Sequence, residues 1–274
     1  MAVETAFAKI NLALHVRRRE DDGYHAIETL FAFAEDGDLL SPTDQPGLQV
    51  TGPFAAALSE GDNLVTRAAE AFAGMIGKSV VGGFRLDKRL PVAAGIGGGS
   101  ADAAAALRLL CARERIDPGE ERVRLLAAQL GADVPACLIS RPVRGEKRGD
   151  SLIPQEGLGP GTPLLLVNPM RPLATGTVFA RWDGVDRGPL DCGDPIEAAR
   201  TGRNDLEAPA IAILPVIGEI LTLLAAQDGV LLARMSGSGA TCFALFDHEA
   251  SREAAANAIA QRHPDWWLMR TRLR

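Results

Sequence analysis

Little in this chain points to metal or disulfide chemistry. Cys111, Cys137, Cys192 and Cys242 are scattered and form no C-x-x-C pair, and His15, His25, His248 and His263 are equally dispersed. That spacing predicts buried free thiols in a reducing compartment, in place of a disulfide framework or a zinc or histidine metal centre. No apolar run approaches the ~20 residues needed to cross a bilayer. The opening MAVETAFAKINL lacks a basic segment followed by an apolar core, so a secretory signal is not expected and a cytoplasmic location is. Basic charge is not in excess either. Lys and Arg number 29 against 35 Asp and Glu, a net charge of −6. A nucleic-acid binder would carry a basic face, so neither a nucleic-acid nor a membrane partner is expected. Any anionic ligand must be held by local groups and not by the overall field. Aromatic residues are 5% of the chain, with Tyr24 the single tyrosine.

What the chain does have is one organising stretch, residues 90–110, LPVAAGIGGGSADAAAALRLL. An apolar segment carrying Pro91, Val92, Ala93 and Ala94 leads into Gly95, Ile96, Gly97, Gly98 and Gly99. Ser100 and Ala101 then open a run of Ala and Leu, the best helix formers. The pattern predicts a helix over 101–111, N-capped by Ser100, with Asp102 in the first turn complementing the dipole. Glycines abutting a helix start let backbone N–H groups converge on the positive end of the dipole, a place suited to a phosphate. A tight strand-to-helix connection would use the same residues. The stretch is not a Walker A loop, since no Gly-Lys-Ser/Thr ends it, and Ile96 with a third consecutive glycine breaks the dinucleotide spacing.

Residues 3–17 alternate in part. Ile10, Leu12, Leu14 and Val16 fall on one face of a strand, and Lys9, Asn11, Ala13 and His15 on the other. The polar face either is solvated at a sheet edge or lines a site. Tyr24 and His25 follow a charged turn, where an aromatic ring beside a polar ring can stack on and hydrogen-bond a nucleobase, or simply pack. Further strands are expected over 26–33 and 38–51, separated by a turn at Glu35-Asp36-Gly37. Asp62 or Asn63 caps a helix reaching about Ile76, a strand over 80–86 feeds the glycine loop, and a helix over 120–130 ends at Gly131. Asp133 lies in GADVPACLI, where an unpaired carboxylate is costly to bury. It calls for a cationic partner, or serves as N-cap of a short helix with Pro135 near its start. Residues 141–162 are rich in Gly, Pro and charge and read as a crossover between domains. Beyond them, strands over 164–167, 231–234 and 266–270 alternate with helices over 175–182, 216–226 and 249–262, an α+β layer. Ser236-Gly237-Ser238-Gly239 is a hairpin turn whose small residues let another backbone or a phosphate come close. Two glycine clusters, one in each half, suggest a cleft at the domain boundary.

Three motifs in order carry a resemblance to a known family: FAKINL at 7–12, PVAAGIGGGSADAAA at 91–105 and MSGSGATCFALF at 235–246. With them the chain resembles the GHMP small-molecule kinases over essentially its whole length. Within that family the likeness is strongest to members acting on a cytidyl diphosphate sugar alcohol of the non-mevalonate isoprenoid pathway. AKINLALHV with DDGYH, GADVP, and RNDLE at 203–207 carry that part of it.

The resemblance implies a two-domain α+β fold. Residues 1–150 would form an N-terminal domain like ribosomal protein S5 domain 2, and 151–274 a ferredoxin-like C-terminal domain. It implies ATP and Mg²⁺ as co-substrates and phosphorylation of the 2-hydroxyl of the methylerythritol unit. Lys9 and Asp133 match the family's catalytic pair, and residues 91–101 its ATP-phosphate loop. Asn63 matches a position near the adenine, Tyr24 and His25 the cytosine-binding positions, and Asn11 a polar substrate contact. Phe7 stands where the family often has proline. Ala101 replaces a frequent second serine, which leaves the Mg²⁺ ligands unassigned. The expected partner is the small-molecule substrate, and the expected state a monomer or weak homodimer. A kinase for mevalonate, homoserine or a sugar is the nearest alternative, set apart by the lack of a base for Tyr24 and His25 to bind. A non-catalytic RNA-binding protein is a further one, opposed by the acidic balance.

Overall fold

The computed structural model describes residues 2–58, 63–79, 81–157, 159–191 and 193–274. Asp62, Val80 and Cys192 lie outside the described residues. In chain order the elements are β1 (Glu4–Arg19), β2 (His25–Thr43), β3 (Gly47–Thr51), α1 (Leu64–Ile76), β4 (Gly83–Asp87), α2 (Gly98–Glu114), α3 (Glu121–Leu130) and α4 (Val134–Ile139). There follow β5 (Val143–Glu146), β6 (Ser151–Pro154), β7 (Pro163–Asn168), α5 (Thr175–Ala180), α6 (Pro195–Thr201), α7 (Glu207–Ile213), α8 (Val216–Ala225), β8 (Val230–Met235), β9 (Cys242–Phe246), α9 (Glu249–Arg262) and β10 (Trp267–Arg272). The chain divides into two compact units that alternate along the sequence.

The first unit holds Met1–Lys9, Asp36–Val92 and Gly97–Ser140. The C-terminal end of β2 pairs antiparallel with β4, from Leu39 opposite Asp87 to Thr43 opposite Gly83, and β3 runs parallel to β4. Helix α2 packs against α1 and α4. Its buried residues include Ala101, Ala103, Ala104, Ala105 and Ala106, whose small side chains let the neighbouring helices come close. Phe72 fills the underside of α1, and α1 stops at Gly77, which takes the left-handed conformation that glycine adopts without strain.

The second unit holds Ile10–Glu35, Ala93–Ile96 and Arg141–Arg274. Residues 29–31 of β2 pair antiparallel with β5, which pairs with β6. A separate four-stranded antiparallel sheet runs in the order β10-β7-β9-β8. Leu165, Val167, Ile217, Ile220, Leu224, Phe246, Ala255 and Ile259 form one apolar core with the helices of this unit. Its order of strands and covering helices is the α+β layer that the alternation of patterns predicts.

Several sequence expectations give way here. β1 is no edge strand with a solvated face, because residues 8–16 are buried on both faces. Gly37 makes no turn, and β2 runs straight through it. The glycine is needed because a Cβ there would lie 1.9 Å from the Ala6 carbonyl oxygen. Residues 141–162 hold the β5–β6 hairpin where a bare crossover was expected. Helix α3 does end at Gly131, as expected, but with extended backbone there, φ 165°, in place of a left-handed cap. Helix α6, in a segment with no expectation above, starts at Pro195 behind a side-chain cap from Asp194.

Candidate active site

The sequence leaves Asp133 two roles, and the structure separates them. Asp133 occupies the N-cap position of α4, with Pro135 at its first turn, yet its side chain makes no capping hydrogen bond. The carboxylate instead meets the Lys9 ammonium at 3.0 Å. Lys9 is 4% exposed, whereas the Asp133 side chain keeps 35% of its surface open. A buried cation thus presents a half-open carboxylate to solvent or ligand. Arg108 ties the surrounding backbone together, donating to Thr5 O and Cys137 O at 2.8 Å each and to Glu4 Oε2 at 2.8 Å. Those bonds link the start of β1, which carries Lys9, to α4. Burial pushes the Cys137 thiol on α4 up to about 12, so it is an inert packing group.

The glycine loop comes next to this pair. A Cβ on Gly97 would lie 3.1 Å from Lys9 Cε, so the lysine stem runs along the glycine's bare face. Gly97 is itself the N-cap of α2, in the left-handed conformation at φ 66°. Helix α2 begins at Gly98, three residues before the expected start, and Ser100 sits in its first turn without capping it. The first intrahelical bond runs from Ala101 N–H to Gly97 O at 2.8 Å. The N–H groups of Gly98, Gly99 and Ser100 precede that ladder, which leaves them for an anion. Around Gly99 the space is open, since a Cβ there would touch only Leu64 Cδ1, at 3.5 Å. Leu64 follows Asn63, whose side-chain oxygen caps α1 by accepting the Val65 N–H at 2.8 Å. Pro91, Ala94 and Ile96 are buried and Val92 is exposed.

Ala93, Ala94, Gly95 and Ile96 cluster with the second unit. There the two glycine clusters meet backbone to backbone. A Cβ on Gly95 would lie 2.5 Å from Gly239 O and 2.7 Å from Ser236 O. Ser236 Oγ donates to Gly95 O at 3.0 Å and accepts the Asn11 N–H at 3.3 Å. Asn11 Nδ2 donates to Thr29 Oγ1 at 2.7 Å. Asn204 closes the network, donating to Met235 O and Gly237 O at 2.8 Å each. This is the work of the RNDLE motif, together with Asp205 accepting the Val16 N–H at 2.8 Å. His15, on the same strand face as Asn11, is held neutral. Burial and then Arg203 push its pKa down, and its Nε2 accepts the Arg203 N–H.

Tyr24 is 59% exposed, with the Arg148 guanidinium 4.3 Å from its ring centroid. His25 packs near Phe179 at 4.9 Å and Trp182 at 5.7 Å between ring centroids. Burial, then the charge of Arg19, pushes the His25 pKa down, so its ring is neutral at pH 7. The histidine therefore offers one donor and one acceptor.

Sequence reading misses a second charged group. Asp102 does not complement the helix dipole. It is buried and accepts from Lys88 Nζ at 2.8 Å, while Lys88 also meets Asp38 at 2.5 Å. The available signal was Asp102 itself, a charge among alanines and so in need of a partner when buried. Phe179 and Arg148 are also missed, since both lie far from Tyr24 and His25 in sequence.

Two family models fit the chain, the GHMP kinases N terminal domain over residues 63–141 and the GHMP kinases C terminal model over 193–265. Fold and domain content together define a GHMP-type small-molecule kinase, for which ATP is a substrate. The 4-diphosphocytidyl-2-C-methyl-D-erythritol kinase of Rhizorhabdus wittichii is 62% identical, across 99% of this chain and 94% of that protein. The kinase of the same name from Sphingopyxis alaskensis is 52% identical, across 99% and 98%. A crystal structure of a 4-(cytidine 5'-diphospho)-2C-methyl-D-erythritol kinase superposes with a TM-score of 0.79 at 34% identity, covering 99% of both chains. The chain belongs to the family of 4-diphosphocytidyl-2-C-methyl-D-erythritol kinases.

Proposed function

We propose that this chain transfers the γ-phosphoryl group of ATP to the 2-hydroxyl of 4-diphosphocytidyl-2-C-methyl-D-erythritol, a step of the non-mevalonate isoprenoid pathway. The observation that carries the reading is the Lys9–Asp133 ion pair at 3.0 Å, with the lysine stem against Gly97 of the glycine loop. The substrate hydroxyl oxygen attacks the γ-phosphorus, the bond from that phosphorus to the ADP oxygen breaks, and the hydroxyl proton passes to Asp133. Lys9 offsets charge on the transferred group, and the free N–H groups of Gly98, Gly99 and Ser100 offset charge on the nucleotide phosphates. Residues 91–101 serve as the phosphate loop and Asn63 as a contact near the adenine. Asn11 contacts the acceptor substrate. Tyr24 stacks on its cytosine and His25 hydrogen-bonds it, the neutral ring supplying both a donor and an acceptor.

Mg²⁺ enters this reading with the nucleotide. Among the described residues no group of three or more His, Cys, Asp and Glu could hold a metal ion. Mg²⁺ bound to a nucleotide commonly keeps several waters and takes phosphate oxygens as ligands. The only hydroxyl at the start of α2 is that of Ser100, which would be available to such an ion, and the ion would neutralise phosphate charge when bound. The two kinase domains are taken as 1–150 and 151–274, a division that leaves each family model on one side. No helix among the described residues is long and apolar enough to cross a membrane. A cytoplasmic enzyme, monomeric or weakly dimeric, completes the proposal.

ATP-dependent phosphate transfer across a panel of acceptors tests it. Turnover is expected with the cytidyl diphosphate alcohol and not with mevalonate, homoserine or galactose. Turnover confined to one of the latter three would overturn the substrate.

A further inference from the structure

We infer that Lys88 is a positioning residue for the ATP site, joining the two ends of the glycine loop through Asp38 and Asp102. This rests on the reading of residues 97–101 as the phosphate loop. Three observations meet at one buried point of the first unit. Asp38 Oδ1 accepts the N–H groups of Arg89 and Leu90, at 2.5 and 2.8 Å, just where the chain runs into the loop at Pro91. Its Oδ2 meets the Lys88 ammonium at 2.5 Å, and the same ammonium meets Asp102 Oδ2 at 2.8 Å, on α2 just after the loop. Between these ends, a Cβ on Gly98 would lie 3.1 Å from Lys88 Nζ, so the ammonium is the floor beneath the first helical residue.

Stability alone does not account for this arrangement. All three side chains are 3% exposed or less. A buried ion group of this kind is seldom more stabilising than well-packed apolar residues of equal volume. Here Asp102 Oδ1 is also left without a hydrogen-bond partner. What the triad supplies is directional: two fixed bonds that set where β4 leaves and where α2 begins. The N–H groups of Gly98 to Ser100 are aimed from that start, and small displacements of a phosphate-binding group are costly to binding and rate.

Asp102→Ala cuts the link to α2 while leaving Lys88 and Asp38 as a balanced pair, and alanine favours the helix. Asp102→Asn keeps a side-chain oxygen for the ammonium. Both are assayed as full-length enzyme with ATP and the cytidyl diphosphate alcohol, after folding is checked by thermal melting. Asp102→Ala is expected to raise the KM for ATP about tenfold, leaving the KM for the alcohol within about twofold, and Asp102→Asn to restore the ATP value. If Asp102→Ala moves neither KM, or both in proportion, the positioning role is overturned, whatever the melting temperature does. Should that variant not fold, Gly98→Ala takes its place: it keeps all three side chains and pushes on the ammonium, and an unchanged KM for ATP there overturns the inference equally. Gly99→Val, which fills the open space over the first turn of α2, separates the two claims. If it raises the KM for ATP and Asp102→Ala does not, only the clamp fails. If it leaves the KM for ATP unchanged, the loop reading fails and the clamp with it.

Discussion

Asp133 keeps its carboxylate free of backbone duty at a position where aspartate usually caps a helix. Pro135 removes one N–H donor from the first turn of α4, and Lys9 supplies a stronger partner. Tyr24 is used differently, as an exposed ring with one face beside Arg148. Tyr24→Ala is expected to weaken binding of the cytidyl substrate by ~1–3 kcal/mol, read as a raised KM at unchanged KM for ATP. An unchanged substrate KM would remove Tyr24 from the site. Asp102 governs stability as well as geometry. Burial, opposed by Lys88 and reinforced by Asp38, pushes its carboxyl up from 3.8 to about 7. Between those pH values the folded chain binds more protons there than the unfolded chain, so this group's contribution falls as pH rises. Wild-type stability measured relative to Asp102→Asn should therefore decline from about pH 4 to about pH 7 and level off above it. A difference flat across that window would contradict the assignment. Lys9 and Asp133 were legible in the sequence because each is a lone charge beside apolar neighbours in a recognisable motif. Lys88 and Asp38 lacked that signal, since Lys88 sits in the charged run DKR and Asp38 directly after the Glu35-Asp36-Gly37 segment.

At the scale of elements, α1 shows what a legible signal looks like. Of the two cap candidates, Asn63 is the N-cap, and the helix ends at Ile76 as the residues predict; Gly77 closes it in the left-handed conformation. Asn63→Ala is expected to lower stability by ~1 kcal/mol, seen as a lower denaturant midpoint at constant m-value. No shift in the midpoint would mean the cap contributes nothing. Helix α2 was legible in its Ala-rich body and misread at its start. Three glycines and a serine suggest a loop, yet packing against α1 and α4 extends the helix through Gly98 and Gly99 despite their poor propensity. The same tertiary override carries β2 through Gly37. There a glycine that signals a turn in the sequence instead admits the backbone of Ala6. The Ser236–Gly239 turn fits its hairpin reading, and the close backbone its small residues admit is that of Gly95.

Across the whole molecule, the two units draw on alternating stretches of chain, and β1, β2 and the glycine loop each contribute residues to both. Sequence reading cuts the chain once, near residue 150, because composition shifts there. It has no signal for alternation, which arises from strand pairing between residues far apart. The groups to which the proposal gives the phosphoryl transfer, Lys9, Asp133 and the start of α2, nonetheless come together in the first unit. The most direct measurement is kcat and the KM for ATP of Asp133→Asn and Lys9→Met with the cytidyl diphosphate alcohol as acceptor. Each variant is predicted to lose more than ~100-fold in kcat with only a modest change in the KM for ATP. Turnover near the wild-type rate in either variant would contradict the role of that residue and the account built on the pair.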